Sequence, residues 1–302
     1  MYVLLIGALI LFINIILYIS SFRVIMKIRA NQWAIITGCT SGLGKAFARR
    51  LASMGYNIVV MGRDLQKIKN EENFLRRHFK VKTKSICFDF KNIQSQNLIE
   101  ELDKKLNNIE ISILINNAGI SYLYPEYFVN LENNILPSII NCNIITMLQM
   151  THYFLKKNSH NKDGYFILNI SSATANIPSP LLSVYAASKL FTIKFSNDLK
   201  LENKNKSNIK IETLSPYFIS TNMSKIKPSL FVPTPEEYVD NITLNKNGIL
   251  YIKTFSLRYD VPTIIAKIFQ LINKNFIFNR MQIFRNKAIK KFDNKQNCNL
   301  NS

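Results

Sequence analysis

Tyr185 and Lys189 stand four positions apart in Tyr185-Ala186-Ala187-Ser188-Lys189, and Ser172 lies thirteen positions upstream of the tyrosine. On a helix such a pair shares one face, so the ammonium can lower the phenol's pKa and turn a tyrosine into a usable proton donor. Near the start, Thr37-Gly38-Cys39-Thr40-Ser41-Gly42-Leu43-Gly44 follows a short apolar run and opens a helical pattern. Gly38, Gly42 and Gly44 lack side chains where backbone and a helix N-terminus must approach a dinucleotide pyrophosphate. The spacing T-G-x-x-x-G-x-G is looser than G-x-G-x-x-G, and a loop glycine used only for tight packing is the competing reading. Each motif alone is common; their joint occurrence is specific.

The cofactor's second phosphate has a candidate reader. An NAD-binding unit usually ends its second strand with an acid that accepts from the adenosine ribose hydroxyls. Here the strand runs Val59-Val60-Met61-Gly62-Arg63-Asp64, with Gly62 at the acid's place. The planar fork of Arg63 can pair with a 2′-phosphate, which predicts NADPH over NADH. Asp64 is the residue that weighs the other way.

These groups need a scaffold that brings strand ends together. Apolar strand candidates are Trp33 to Thr37, Ile58 to Met61, Ser85 to Phe88, Ile111 to Ile115, Tyr165 to Ile170, Ile209 to Leu214 and Gly248 to Ile252, with helical patterns between most of them, the first from about Leu43 to Met54. Strands alternating with helices predict an α/β, doubly wound, Rossmann-like parallel sheet across 31–260. From Tyr217 to about Asn247 the rhythm breaks, and Pro228, Pro233 and Pro235 argue against regular helix across its middle. The segment reads as a substrate lid over 217–247, or as a plain surface excursion. Residues 261–302 comprise an amphipathic segment, with Ile264, Ile265, Ile268, Phe269, Leu271 and Ile272 set against Lys267 and Lys274, and a basic tail. The segment lies on a membrane, packs on the body or forms a dimer contact. The tail from Arg285 to Ser302 is Lys- and Asn-rich and is expected to be disordered.

Met1 to Phe22 carries no charged side chain, and Tyr2 to Ile19 is long enough as a helix to cross a hydrocarbon layer about 30 Å thick. An uncleaved anchor helix over 1–22 is expected, and Arg23, Lys27 and Arg29 after it place the body on the cytosolic side. The formal net charge is +20, but Lys and Arg are scattered, without the dense stripe of a nucleic-acid binder, so polyanionic cofactors, acyl-CoA or an anionic membrane face are the expected partners. Cys39, Cys87, Cys142 and Cys298 show no C-x-x-C spacing, and His78, His152 and His160 do not cluster with them, so neither a metal nor a disulfide framework is expected. The first three cysteines read as small core residues and the histidines as surface residues.

With the glycine loop, Asn116-Asn117-Ala118-Gly119, Asn143, Asn169-Ile170-Ser171-Ser172 and the Tyr185/Lys189 pair in this order, the chain resembles the short-chain dehydrogenase/reductase family from about Gln32 to Ile252. The resemblance implies hydride transfer between a nicotinamide cofactor and a ketone. Tyr185 would protonate the substrate oxygen, Ser172 hydrogen-bond the carbonyl, Lys189 contact the nicotinamide ribose and Asn143 hold a relay water. Thr37, Gly38, Ser41, Gly42, Leu43, Gly44, Arg63, Asp89, Asn116, Ala118 and Gly119 would bind the cofactor with Tyr185 and Lys189. The physics agrees, because two hydroxyl donors and a cation stabilise the charge that hydride attack builds on oxygen. The bland alternative makes Ser171 and Ser172 strand-end caps and Tyr185 an ordinary buried aromatic.

Within the family the chain is similar to the membrane-bound branch of steroid 17-beta dehydrogenases and very-long-chain 3-oxoacyl-CoA reductases. Ser121-Tyr122-Leu123-Tyr124-Pro125-Glu126-Tyr127-Phe128, Ile177-Pro178-Ser179-Pro180-Leu181-Leu182 and Ser215-Pro216-Tyr217-Phe218-Ile219-Ser220-Thr221 carry that likeness. It implies NADPH-dependent reduction of a 3-oxoacyl-CoA at the endoplasmic reticulum membrane. Lys225 and Lys227 would then meet the CoA phosphates, and Phe218, Ile219, Leu230 and Phe231 would border the chain. A 17-ketosteroid substrate and an idle NADP-binding sensor or scaffold are the alternatives, and a homodimer is expected.

Overall fold

The computed structural model describes residues 22–27, 31–93, 97–254, 262, 265 and 275–300. Six parallel strands form the central sheet: β2 (Trp33–Thr37), β3 (Asn57–Gly62), β4 (Thr83–Cys87), β5 (Ile111–Asn116), β6 (Tyr165–Ile170) and β7 (Ile209–Leu214). Their order is β4-β3-β2-β5-β6-β7, so the direction of winding reverses between β2 and β5. A crevice at such a switch point, outside the strands' C-terminal ends, is where doubly wound sheets bind ligands.

Alternation within each strand feeds two cores. Ala34, Ile36, Ile58 and Val60 face one layer with Phe47 and Leu51 of α1 (Gly42–Ser53) and Ile68 and Leu75 of α2 (Leu65–Phe79). Ile35, Val59, Met61 and Leu114 face the other, with Leu98, Leu102 and Leu106 of α3 (Leu98–Leu106) and Met150 and Phe154 farther along the chain. β2, β3, β5 and β6 read as largely apolar runs because both their faces are buried, whereas β4 and β7 at the sheet's edges are partly exposed. Between β5 and β6 the chain runs through α4 (Ile135–Ile140), a π turn at Asn141–Ile145 and α5 (Thr146–Lys157). After β6, α6 (Ser183–Glu202) leads to β7.

The predicted seventh strand does not join this sheet. β9 (Ile249–Lys253) pairs antiparallel with β8 (Thr243–Lys246) and with β1 (Phe22–Lys27) in a separate three-stranded sheet. Asn247 and Gly248 both have positive φ, 53° and 70°, and form the two-residue turn that joins β8 to β9. Asn-Gly is the dipeptide that favours this hairpin turn, a signal present in the sequence. The small sheet buries Ile25, Leu250 and Ile252 in the core beside α1.

The lid segment holds more regular structure than its prolines suggested. Pro235 opens α7 (Pro235–Ile242), where a first-turn proline sacrifices no helical hydrogen bond, and Thr234 with Glu237 forms a reciprocal capping box. Arg50 of α1 then donates to the Thr243 hydroxyl and carbonyl, at 3.2 and 2.9 Å, fixing the start of β8.

Phe276–Leu300 forms one helix, α8, where a disordered tail was expected from Arg285 onward. Among the described residues no helix is long and apolar enough to cross a membrane. The expected anchor lies outside the described residues except for Phe22, which begins β1, and nearly all of the amphipathic segment also lies outside them. Cys39 and Cys142 are buried, whereas Cys87 is exposed at the open edge of β4 and not a core residue.

Candidate active site

At the switch point, the ends of β2 and β5 are clasped by side chains. The Thr37 hydroxyl accepts from the backbone N–H groups of Asn117 and Ala118 at 3.0 and 2.9 Å. Asn117 Nδ2 in turn donates to the Thr37 and Gly38 carbonyls at 2.9 and 3.3 Å. A Cβ on Gly44 would run into Asn117 Nδ2 and lie 2.5 Å from the Gly38 carbonyl, so α1 can press its first turn on the loop only with glycine there. Gly38 and Gly42 take φ of 68° and 53°, the left-handed region where glycine is free. Tight packing and close ligand approach are therefore both served. Asn117 was not among the candidate ligands; its clasp was signalled only by an amide in Asn116-Asn117-Ala118-Gly119.

The loop also leaves the N-terminus of α1 open to an anion. Ser41 is the N-cap but makes no side-chain cap bond, and the first turn holds no acidic residue. Leu43 follows, half-buried. At the end of β3, a Cβ on Gly62 would lie 3.0 Å from Thr40 Cγ2, so a carboxylate is both absent and poorly accommodated. Asp64 is turned away, capping α2 through the Lys67 N–H at 3.0 Å. Arg63 between them is exposed, and its guanidinium makes no hydrogen bond or ion pair among the described residues. Asp89, after β4, caps a short turn through the Lys91 N–H and Asn92 Nδ2.

The catalytic candidates meet on the β6 side of the crevice. Tyr185 and Lys189 share the first half of α6, with the Lys189 Nζ 6.0 Å from the Tyr185 ring centroid. Lys189 is 5% exposed and donates to the Ile170 carbonyl at 2.9 Å, while the Ser171 hydroxyl donates to the Lys189 carbonyl at 2.7 Å. Two bonds thus fasten this helix to the end of β6. Ser172 follows; its oxygen accepts from the Thr174 N–H and hydroxyl at 3.3 and 3.0 Å, and it lies near enough to Tyr185 to act on the phenol's pKa. The cap reading and the paired-hydroxyl reading are both satisfied by one side chain.

Asn143 sits in the π turn, a distortion that recurs at functional sites. Its Oδ1 accepts from the Ile120 N–H at 2.8 Å, and its Nδ2 donates to the Ile120 carbonyl and the Ser188 hydroxyl at 3.0 and 2.9 Å. The amide thereby ties the loop after β5 to α6. Gly119 passes so close that a Cβ would lie 3.2 Å from Lys189 Nζ. Asn116 lies deeper, donating to Thr151 and to the fully buried Asn169 at 3.0 and 2.8 Å.

Electrostatics depart from the expected acidified phenol. Burial raises the Tyr185 pKa above its ordinary value and the Ser172 hydrogen bond opposes the rise. Burial likewise pushes Lys189 down, from 10.5 to about 8. The ammonium spends a hydrogen bond on Ile170, and desolvation is the largest influence on both groups. Tyr185 is thus held protonated, the state a proton donor requires.

A switch-point crevice with a glycine-lined helix N-terminus and a Ser-Tyr-Lys set defines a nicotinamide-dependent oxidoreductase acting on a CH–OH or ketone group. Residues 32–229 match the short chain dehydrogenase family, and the chain belongs to that family. Its relatives include very-long-chain 3-oxoacyl-CoA reductase-A of Danio rerio, 37% identical over 84% of this chain and 80% of that protein. Among solved structures, a short-chain dehydrogenase from Sphingobium yanoikuyae in complex with NADPH is 26% identical with a TM-score of 0.62, covering 69% of this chain and 81% of that one. A 7beta-hydroxysteroid dehydrogenase matches with a TM-score of 0.64 at 23% identity, over 72% and 85% of the two chains, a likeness of fold.

Proposed function

We propose that this chain reduces a long-chain 3-oxoacyl-CoA to the 3-hydroxyacyl-CoA with NADPH. The observation that carries the chemistry is the convergence of Tyr185, Ser172 at the end of β6 and buried Lys189 one helical turn behind the tyrosine. The acyl-CoA substrate is supported by the Danio rerio relative, whose match extends beyond the shared catalytic motifs. The residues fit the cofactor: the open N-terminus of α1 suits the pyrophosphate, and Arg63, flanked by Gly62 and a capping Asp64, suits a 2′-phosphate. When bound, the cofactor supplies the hydride.

The chain's own residues manage oxygen and proton. Ser172 Oγ–H orients the ketone oxygen, and Tyr185 Oη delivers its proton as negative charge develops there. The Lys189 cation stabilises the tyrosinate left behind and holds the ribose. Asn143, Asn116 and Lys189 line a cavity of about 10 Å³, room for roughly one water, which suits a relay that returns the proton. Ala118, Gly119 and Asp89 flank the cofactor's path. In the lid, Lys225 Nζ donates to the Leu123 carbonyl at 3.2 Å and stays exposed beside exposed Lys227, where both can meet CoA phosphates. Leu230 and Phe231 are exposed and can border the acyl chain, whereas Ile219 is buried in the core. The apolar start and basic flank of the sequence support a location at the endoplasmic reticulum membrane with the body in the cytosol.

Detergent-solubilised enzyme assayed on a long-chain 3-oxoacyl-CoA and a 17-ketosteroid, each with NADPH and NADH, tests the proposal. Turnover of the thioester with NADPH is the expected cell of that matrix. Preference for the steroid would replace the substrate, and no reduction in any cell would leave a cofactor-binding protein without this chemistry.

The Lys189 pKa gives a pH signature. Since kcat/KM reports the free enzyme, it should fall as pH rises through about 8 and the cation is lost. Stability should move oppositely. Between about 8 and 10.5 the unfolded chain binds more protons at this lysine than the folded one, so its burial penalty is relieved as pH rises. Lys189→Met should remove both effects. An unchanged alkaline limb in that variant would assign the limb to another group.

A further inference from the structure

Helix α8 is fastened to the loop that carries the site, by contacts no part of the proton chemistry needs. Arg285 donates through Nε and Nη2 to the two carboxylate oxygens of Glu126 at 2.9 and 2.8 Å, with only 22% and 12% of the two side chains exposed. One turn earlier, Gln282 Nε2 donates to the Tyr127 hydroxyl at 2.9 Å, and the Arg285 guanidinium lies 5.3 Å from the Tyr127 ring centroid. On the lid side, Phe284 approaches Phe218 with ring centroids 6.4 Å apart, and Phe218 in turn packs edge-on to Tyr217 at 4.7 Å. The helix therefore touches both the segment after β5 and the first residues of the lid.

Glu126 links this helix to the catalytic one. Its backbone N–H donates to the Leu181 carbonyl at 2.9 Å, in the loop that leads into α6. In the same segment the Tyr122 hydroxyl accepts from the Val184 N–H at 3.0 Å, immediately before Tyr185. Burial alone would raise the Glu126 pKa, but hydrogen bonds from Arg285, Tyr127 and Asn130 outweigh it and keep the carboxylate charged. A bidentate pair shielded from water is directional, which suits fixing a helix at one angle.

We propose that Glu126 and Arg285 are positioning residues that latch α8 across the mouth of the cleft, where Phe284, Phe218 and Tyr127 form a wall for the apolar tail of the substrate. The proposal rests on a lipid-like ketone being reduced at Tyr185. A short ketone needs only the Ser172 and Tyr185 hydroxyls, so the wall should matter for tail length and not for the proton step. Phe284 is 39% exposed and Ile283 46%, leaving apolar surface on α8 for a tail to cover.

The test uses the full-length chain in detergent: wild type, Arg285→Met, and the double charge exchange Glu126→Arg with Arg285→Glu. KM and kcat are measured with a short-chain and a long-chain 3-oxoacyl-CoA. Arg285→Met is expected to raise KM for the long thioester by about tenfold with kcat nearly kept, to leave the short thioester within about twofold, and to be partly rescued by the exchange. Equal losses on both thioesters, or no change on either, would overturn the tail wall. Hydrogen exchange over 276–300 reads the latch without turnover: protection lost in Arg285→Met and regained in the exchange supports it, and unaltered protection refutes it. Should the wild type reduce neither thioester, the acyl-CoA reading fails, while the exchange data still decide the latch.

Discussion

Tyr185→Phe is expected to lower ketone reduction by about 10²–10⁴-fold while NADPH binding, followed by fluorescence titration, stays within about twofold. Phenylalanine keeps the half-buried ring and its place before Lys189, and it deletes only the hydroxyl. Removing the proton donor costs the transition state and leaves the cofactor's other contacts in place, so kcat and kcat/KM should fall together. Residual turnover within tenfold of wild type would put the proton elsewhere. Joint loss of binding and turnover would make the residue a structural aromatic.

The second large effect belongs to Arg63. Replacing it by Asp should cut the NADPH-over-NADH ratio of kcat/KM by about 10–100-fold, as expected for losing a charge-assisted fork worth about 1.5–3 kcal/mol. The side chain is exposed and unpaired among the described residues, so folding should be little changed, which a thermal melt checks. Gly62 beside Thr40 and Asp64 on the Lys67 N–H leave Arg63 as the charged group of this strand end that is available. Selectivity that survives the substitution would move the 2′-phosphate contact to another residue.

What was legible in the sequence follows from where its physics is local. β2, β6 and β7 run over the spans expected: β2 and β6, buried along their length, show as largely apolar runs between turn residues, and β7 alternates buried Ile209 and Ile211 with exposed Lys210. The edge strand β4 begins two residues earlier than expected and ends one earlier, being only half-buried at its start. β8, Thr243–Lys246, is short and polar, and β1 abuts an apolar run, so neither carried a strand pattern of its own. β1 pairs with β9 more than two hundred residues away, with no local signal, whereas β8 meets β9 across the turn that Asn247-Gly248 announces. Helix α8 was hidden for a related reason. Its Lys- and Asn-rich stretch has weak helical patterning, and what docks it is Glu126, 159 positions away.

At the site, residue identities were readable and energetics were not. Tyr185, Lys189 and Ser172 do converge, but the sequence suggests a phenol acidified by charge, whereas burial prevails and keeps it protonated. Desolvation depends on what encloses a group in three dimensions, which spacing cannot report. The same holds for Asn143, whose amide is spent on Ile120 and Ser188, and for Asn117, which locks the glycine loop.

A substrate ketone that takes its hydride from NADPH and its proton from Tyr185 is the central claim, and one labelled turnover tests it most directly. Enzyme mixed with a long-chain 3-oxoacyl-CoA and NADPH carrying deuterium at its transferable position should yield a 3-hydroxyacyl-CoA with the label on carbon 3, and Tyr185→Phe should yield almost none. Unlabelled product, or equal labelled product from the variant, would contradict it.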